Sequence, residues 1–157
     1  MTKLEPQHDP ACWGCGENPI GLHLPRPSEP GRDTYDAELA FDARHQGGPG
    51  IVHGGVVSAA LDEAVGLLAT WYAFPTVTAR IFVRYRKPVP IDTVLRLEAH
   101  VVGASGRRIR AVAALREDDE VLAEAKAAML RVPLEHFLGT PEGRAIAHRL
   151  YGRPSTS

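Results

Sequence analysis

From residue 53 to 74 the chain reads as a single helix that is apolar around its whole circumference. Val56, Val57, Ala60, Leu61, Ala64, Val65, Leu67 and Leu68 come too densely for the two-residue alternation of a strand. Pro75 ends the run, because proline lacks the N–H that a further turn would need. A chain of 157 residues can hide such a helix only if a curved antiparallel sheet wraps it and a further surface covers what the sheet leaves bare. This constraint selects an α+β architecture, a long central helix held by a sheet of about five to six strands.

The remaining text supplies that sheet. Residues 34–42 alternate, with Tyr35, Ala37, Leu39 and Phe41 on one side, and a loop over 44–51 follows with glycines at 47, 48 and 50. Beyond the helix, alternation returns over 77–85, 94–102, 107–116 and 121–132. The joints Lys87-Pro-Val-Pro90, Gly103-Ala-Ser-Gly106 and Glu117-Asp-Asp-Glu120 are turn text, so sequential antiparallel pairing is the simplest topology. Residues 1–32, with six prolines by Pro30, form an irregular entry segment that drapes over the domain. The domain proper spans 33–133, and 134–157 read as a short surface helix over 141–151 and a tail.

One residue breaks the helix's apolar character. Asp62 lies mid-helix, where an ionised carboxylate is costly unless it is paired or used. On its face lie Gly55, Ser58, Ala59, Gly66 and Ala69, a stripe of small side chains that admits a close neighbour. Glu63, about 100° further round, competes for the same role. For either acid the structural alternative is an ion pair with an arginine of the sheet.

The helix opens on Gly50-Ile-Val-His-Gly-Gly55, where glycines let a ligand approach backbone N–H donors at the positive end of the helix dipole. Asp62 lies nine residues after His53, roughly 13 Å along the axis from the rise per residue. It cannot reach an atom held at Gly54 of its own chain. Joint action of the two requires the donors of one subunit and the carboxylate of another, and the uncovered side of the helix also calls for a partner.

Charge narrows the ligand. The chain is 44% apolar and 24% charged, with net charge −1, the composition of one soluble globular domain. Residues 80–110 nevertheless carry eight Lys or Arg against two Asp or Glu, a local +6 against −7 elsewhere. The near-neutral total argues against a nucleic-acid partner. The opening MTKLEPQHDP has no apolar core behind a basic start, and no run of eighteen uninterrupted apolar residues occurs. The expectation is a cytoplasmic protein with no membrane partner.

His53-Gly-Gly55 followed by Asp62, the preceding Gln46-Gly-Gly-Pro-Gly-Ile-Val52 and the later Arg84-Tyr-Arg-Lys-Pro88 resemble the hotdog-fold acyl-CoA thioesterases, in particular the PaaI-like branch. Cys12-Trp-Gly-Cys-Gly-Glu-Asn-Pro-Ile-Gly-Leu22 resembles the entry segment of a subset of that branch, and the match runs over roughly 12–133. The resemblance implies a hotdog fold, hydrolysis of acyl-CoA thioesters without a cofactor, and a homodimer or dimer-of-dimers tetramer with its active site across subunits. It implies Asp62, not Glu63, as the catalytic carboxylate, acting as general base or nucleophile. Gly54 supplies the amide that polarises the thioester carbonyl, Gly55 is a second donor, and His53 shapes the site. Thr78, ten residues before Pro88, supports the water or the carboxylate. Where several relatives have Asn six residues before the histidine, this chain has Gly47, with Gln46 the candidate substitute. The phosphates of CoA give the basic segment a use. Among Arg80, Arg84, Arg86, Lys87, Arg107, Arg108 and Arg110, the candidates are Arg84, Arg86, Lys87 and Arg108.

Two other readings compete. A non-catalytic acyl-CoA-binding hotdog protein would keep the groove and not need Asp62; a hydratase would need an Asp and His arrangement absent here, since His45 reads as a loop residue and His100 as a strand-face residue. Cys12 and Cys15, with His8, Asp9 and His23 nearby, have the types of a metal clip or redox pair. Two cysteines in a Pro/Gly-rich loop read instead as packing, with no metal.

Overall fold

The computed structural model describes residues 8–151. Residues 8–33 contain no helix or strand. Then come β1 (Thr34–Ala40), a 3-10 turn (Ala43–His45), β2 (Gln46–Gly48), β3 (Ile51–Val52), α1 (Gly54–Ala73), β4 (Thr76–Tyr85), β5 (Val94–Ser105), β6 (Arg108–Glu117) and β7 (Glu120–Arg131). A second 3-10 turn (Leu134–Gly139) and α2 (Pro141–Tyr151) follow. The large sheet is antiparallel, in the order β1-β5-β6-β7-β4, and β2 and β3 make a separate small ribbon. This is the hotdog architecture, one long helix against a five-stranded antiparallel sheet.

Helix and strands form where periodicity places them, but pairing departs from sequence order at one joint. β4 pairs with β7 on one edge of the sheet, not with β5. The cause is residues 86–93. Pro88 and Pro90 cannot donate to a ladder, and the stretch is spent on other partners: Arg86 and Lys87 N–H on Leu122 O, Val89 O on Val52 N–H, Ile91 N–H on Gly50 O, and Asp92 N–H on Phe41 O. The segment read as a tight turn is therefore a crossover that carries the chain from one edge of the sheet, past β3, to the opposite side. The β5–β6 and β6–β7 joints do close as adjacent antiparallel pairs.

By length and composition α1 could cross a membrane, yet Val57, Ala60, Leu61, Ala64, Val65, Leu67 and Leu68 are buried in one core with Leu95, Leu97, Leu115, Leu122 and Met129 of the sheet. Burial of each large aliphatic side chain contributes about 1.5–3 kcal/mol. The burial is not all round. Gly55 is exposed and Ser58, Ala59, Asp62 and Gly66 are half-buried, so the small-residue stripe is the part of α1 that one chain leaves open, Ala69 alone being covered. Of the entry segment and the tail, residues 1–7 and 152–157 lie outside the described residues; in the described part Leu24 is buried and Tyr35 Oη donates to Pro25 O at 2.9 Å.

Candidate active site

The site begins in the turn before α1. Asp42 accepts from Arg44 N–H at 2.8 Å, while His45 Nδ1 accepts from Asp42 N–H at 3.1 Å, a reciprocal capping box. The Arg44 side chain, hydrogen-bonded to Asp42, holds that carboxyl down at about 2. His45 is thereby buried (7% exposed), edge-on to Phe41, so it is a structural core residue more than a loop residue. Its carbonyl accepts from His53 N–H at 2.8 Å, which sets the backbone that enters α1.

His53 is the N-cap, in extended conformation at φ −60° and ψ 132°. Its Nδ1 accepts from Gly55 N–H at 3.0 Å. The Gly55 amide expected as a second donor toward a substrate is thus spent inside the cap. Among the described residues, Gly54 N–H has no acceptor, and it stands at the first helical position where the dipole is positive. One free donor, not two, faces outward. A cleft of about 380 Å³ opens there, lined by Gly47, Gly48, His53, Gly54, Tyr85, Arg86 and Lys87 among others.

Gln46 does not reach this donor. Its Oε1 accepts from Gly50 N–H at 3.0 Å, bracing the β2–β3 turn in which Gly50 takes φ +72°. Gly47 packs flat on the cap residue: a Cβ there would stand 2.8 Å from His53 Cα. A side chain at this position cannot be added without moving the loop.

Asp62 sits further along α1, and Thr78 Oγ1 donates to its Oδ1 at 2.9 Å. The two acids of α1 separate by direction. Asp62 lies on the open stripe beside β4, whereas Glu63 turns to the entry segment, where Cys12 Sγ stands 3.6 Å from Oε1. Among the described residues neither is ion-paired with a sheet arginine. Thr78 faces the helix because of a bulge. Thr78 pairs with Met129 and Arg80 with Ala128, so Ala79 is an extra residue. Strict alternation back from Tyr85 through Val83 and Ile81 would put Ala79 on the helix side; the bulge puts Thr78 there instead, and Thr76 behind it meets Thr70 at 3.2 Å.

Tyr85 is a site residue that the sequence did not disclose. Its hydroxyl donates to Gly54 O at 2.8 Å and meets Ser58 Oγ, tying the end of β4 to the first turn of α1. The only signal was position, next to the basic Arg86-Lys87 pair. Those two cations line the cleft but are engaged with β7: Arg86 Nη2 lies 2.8 Å from Glu124 Oε1, and Lys87 pairs with Glu120. The Arg86 guanidinium holds the Glu124 carboxyl below the usual range. Arg84 and Arg108 are exposed, on β4 and β6, and neither lines the cleft.

Residues 49–124 match the model of the Thioesterase superfamily. Among curated proteins the chain is similar to "Acyl-coenzyme A thioesterase THEM4" of Xenopus laevis, 27% identical over 89 residues, covering 57% of this chain and 40% of that relative's length. Among solved structures, a Streptococcus mutans protein bound to acetyl CoA superposes with TM-score 0.64 at 18% identity, covering 74% of this chain and 94% of that one. The PaaI protein of Escherichia coli superposes with TM-score 0.60 at 14% identity, covering 64% of this chain and 73% of that one. The structural likenesses show the fold, and the sequence likenesses are to thioesterases over about half of the chain, which spans less than half the length of the curated relatives it matches.

Proposed function

We propose, from the premise of a hotdog-fold chain with thioesterase kinship, that this protein hydrolyses acyl-CoA thioesters at a site shared by two subunits. The observation that carries the reading is the Thr78–Asp62 pair, an acid hydrogen-bonded and oriented on the one face of α1 that a single chain leaves open. β4 presents the free edge of the sheet beside that face. A second copy seated there would bring its own α1 N-terminus to this carboxylate, meeting the requirement that the roughly 13 Å separation imposes. A dimer meets it, and so does a dimer of dimers.

In this reading the thioester carbonyl oxygen receives Gly54 N–H of one subunit, where a preorganised donor contributes about 3 kcal/mol to the developing oxyanion. Asp62 of the other subunit takes a proton from water as its oxygen attacks the carbonyl carbon. The tetrahedral intermediate collapses, the C–S bond breaks, and the proton passes from Asp62 to the departing thiolate, giving free acid and CoA. Arg86 and Lys87 at the cleft mouth exchange their glutamate partners for CoA phosphates.

The test is thiol release from aryl, short, medium and long acyl-CoAs. Asp62→Asn is expected to lower kcat by about 10²–10⁴. Full activity in that variant contradicts the assignment. Binding of CoA thioesters by the native chain with no release favours the non-catalytic carrier.

A further inference from the structure

Cys12 and Cys15 gain neighbours that the sequence does not disclose. His8 approaches from the start of the entry segment, and Glu63 reaches in from α1. One ligand atom from each of the four lies within 4.8 Å of all the others. Cys15 Sγ stands 3.1 Å from His8 Nδ1, and Cys12 Sγ 3.6 Å from Glu63 Oε1. Asp9 and His23, the other residues with suitable side chains, are used elsewhere: Asp9 Oδ1 accepts from Ala11 N–H at 2.7 Å and His23 Nδ1 lies 3.0 Å from Gly16 O.

We propose that His8, Cys12, Cys15 and Glu63 form a structural site for a borderline-soft divalent transition-metal ion, zinc foremost, which clasps the entry segment to α1. Two thiolates, an imidazole and a carboxylate are the ligand types zinc takes, and four protein ligands make a closed site without an open position for chemistry. At Zn–S of about 2.3 Å and Zn–N of about 2.0–2.1 Å, tetrahedral ligands stand roughly 3.3–3.8 Å apart. The two measured pairs are already near that spacing, and the remaining ones close to it by at most about 1.5 Å.

The loop is shaped around these four groups. Gly16 N–H donates to Cys12 O at 2.8 Å, Cys12 N–H to Asp9 O at 3.0 Å, and Asn18 Nδ2 to Cys12 O at 2.8 Å, bonds that fold the loop carrying both thiols of the cluster. Gly14 lies so close over the Glu63 carboxyl that a Cβ would stand 2.3 Å from Cδ. A glycine there lets the loop sit down on the helix acid. Hydrophobic packing of the cysteines explains neither the imidazole nor the carboxylate that converge on them. On binding, the metal displaces the two thiol protons into solvent.

The site is tested on the untagged full chain, reduced and freed of metal with a chelator, by titration with Zn²⁺ and with Co²⁺. The expected result is one equivalent per chain, a thiolate-to-cobalt charge-transfer band that Zn²⁺ abolishes, and protection of both cysteines from alkylation until the chelator returns. Cys12→Ser with Cys15→Ser should weaken binding by more than about 100-fold, the upper range for losing a mere supporting group around a metal. Glu63→Gln, which keeps the side chain's volume, should weaken it at least about tenfold. The native-chain titration and alkylation stand even if the double variant fails to fold. No stoichiometric uptake, or uptake that survives the double serine variant unchanged, would overturn the proposal. These readouts do not depend on thioester hydrolysis, so this proposal and the catalytic one fail separately.

Discussion

Thr78 Oγ1 donates to Asp62 Oδ1 at 2.9 Å, a contact that joins an edge strand to the polar break in an otherwise apolar helix. A hydrogen bond to an ionised carboxylate is worth about 1.5–3 kcal/mol, and tenfold in rate corresponds to about 1.4 kcal/mol. Thr78→Val is therefore expected to lower kcat by about tenfold or more with KM little changed, and Thr78→Ser to retain most activity. Steady-state kinetics on the two variants checks this, since an active Thr78→Val beside an impaired Thr78→Ser would point to packing of the methyl and not to the hydroxyl.

Gly47 allows the close approach of β2 to the α1 cap. Gly47→Asn, which installs the residue the resemblance leads one to expect at this position, should lower both kcat/KM and Tm. The new Cβ would stand 2.8 Å from His53 Cα, and overpacking of this kind costs about 1–3 kcal/mol. A gain in activity would show that the loop yields freely and that a water-positioning side chain was merely missing.

Arg86 and Lys87 should act on the nucleotide end of the substrate alone. Replacing either with Gln is expected to raise KM for an acyl-CoA about fivefold, or about 1 kcal/mol, and leave KM for the matching S-acyl-pantetheine unchanged. Loss of Arg86 also leaves Glu124 without its partner. Equal effects on the two substrates would move these cations from phosphate contact to a structural pairing with β7.

Periodicity disclosed what repeats, and missed what depends on a single insertion or a long-range partner. The helix over 53–74 and each strand fall where apolar spacing puts them, because burial against one core enforces the period. The β4–β7 pairing was hidden because Lys87-Pro-Val-Pro90 has the residues of a turn, and only its hydrogen bonds to Leu122, Val52 and Gly50 reveal a crossover. Thr78 could be counted from Pro88, but its direction rests on the bulge at Ala79, which leaves no trace in an alternation of Val77, Ala79 and Ile81. Gly54 and Gly55 look alike in sequence; His53 Nδ1 distinguishes them by capping the second. Glu63 looked like a rival to Asp62 only because a helical wheel does not show that the entry segment comes down on its side.

In the proposed site one subunit's amide works with the other's carboxylate, and two variants isolate the halves. Gly54→Pro deletes the N–H while proline suits a first helical position, and His53 at ψ 132° already has the conformation a residue before proline prefers. Alone, Gly54→Pro should lower kcat about 10²–10³ and Asp62→Asn about 10²–10⁴. Co-expressed with different tags and purified as the mixed dimer, the two variants leave one intact site of two, combining Gly54 of one chain with Asp62 of the other. The mixed dimer is predicted to recover about half the native kcat per dimer. Activity no higher than that of either parent variant would contradict a site built across subunits.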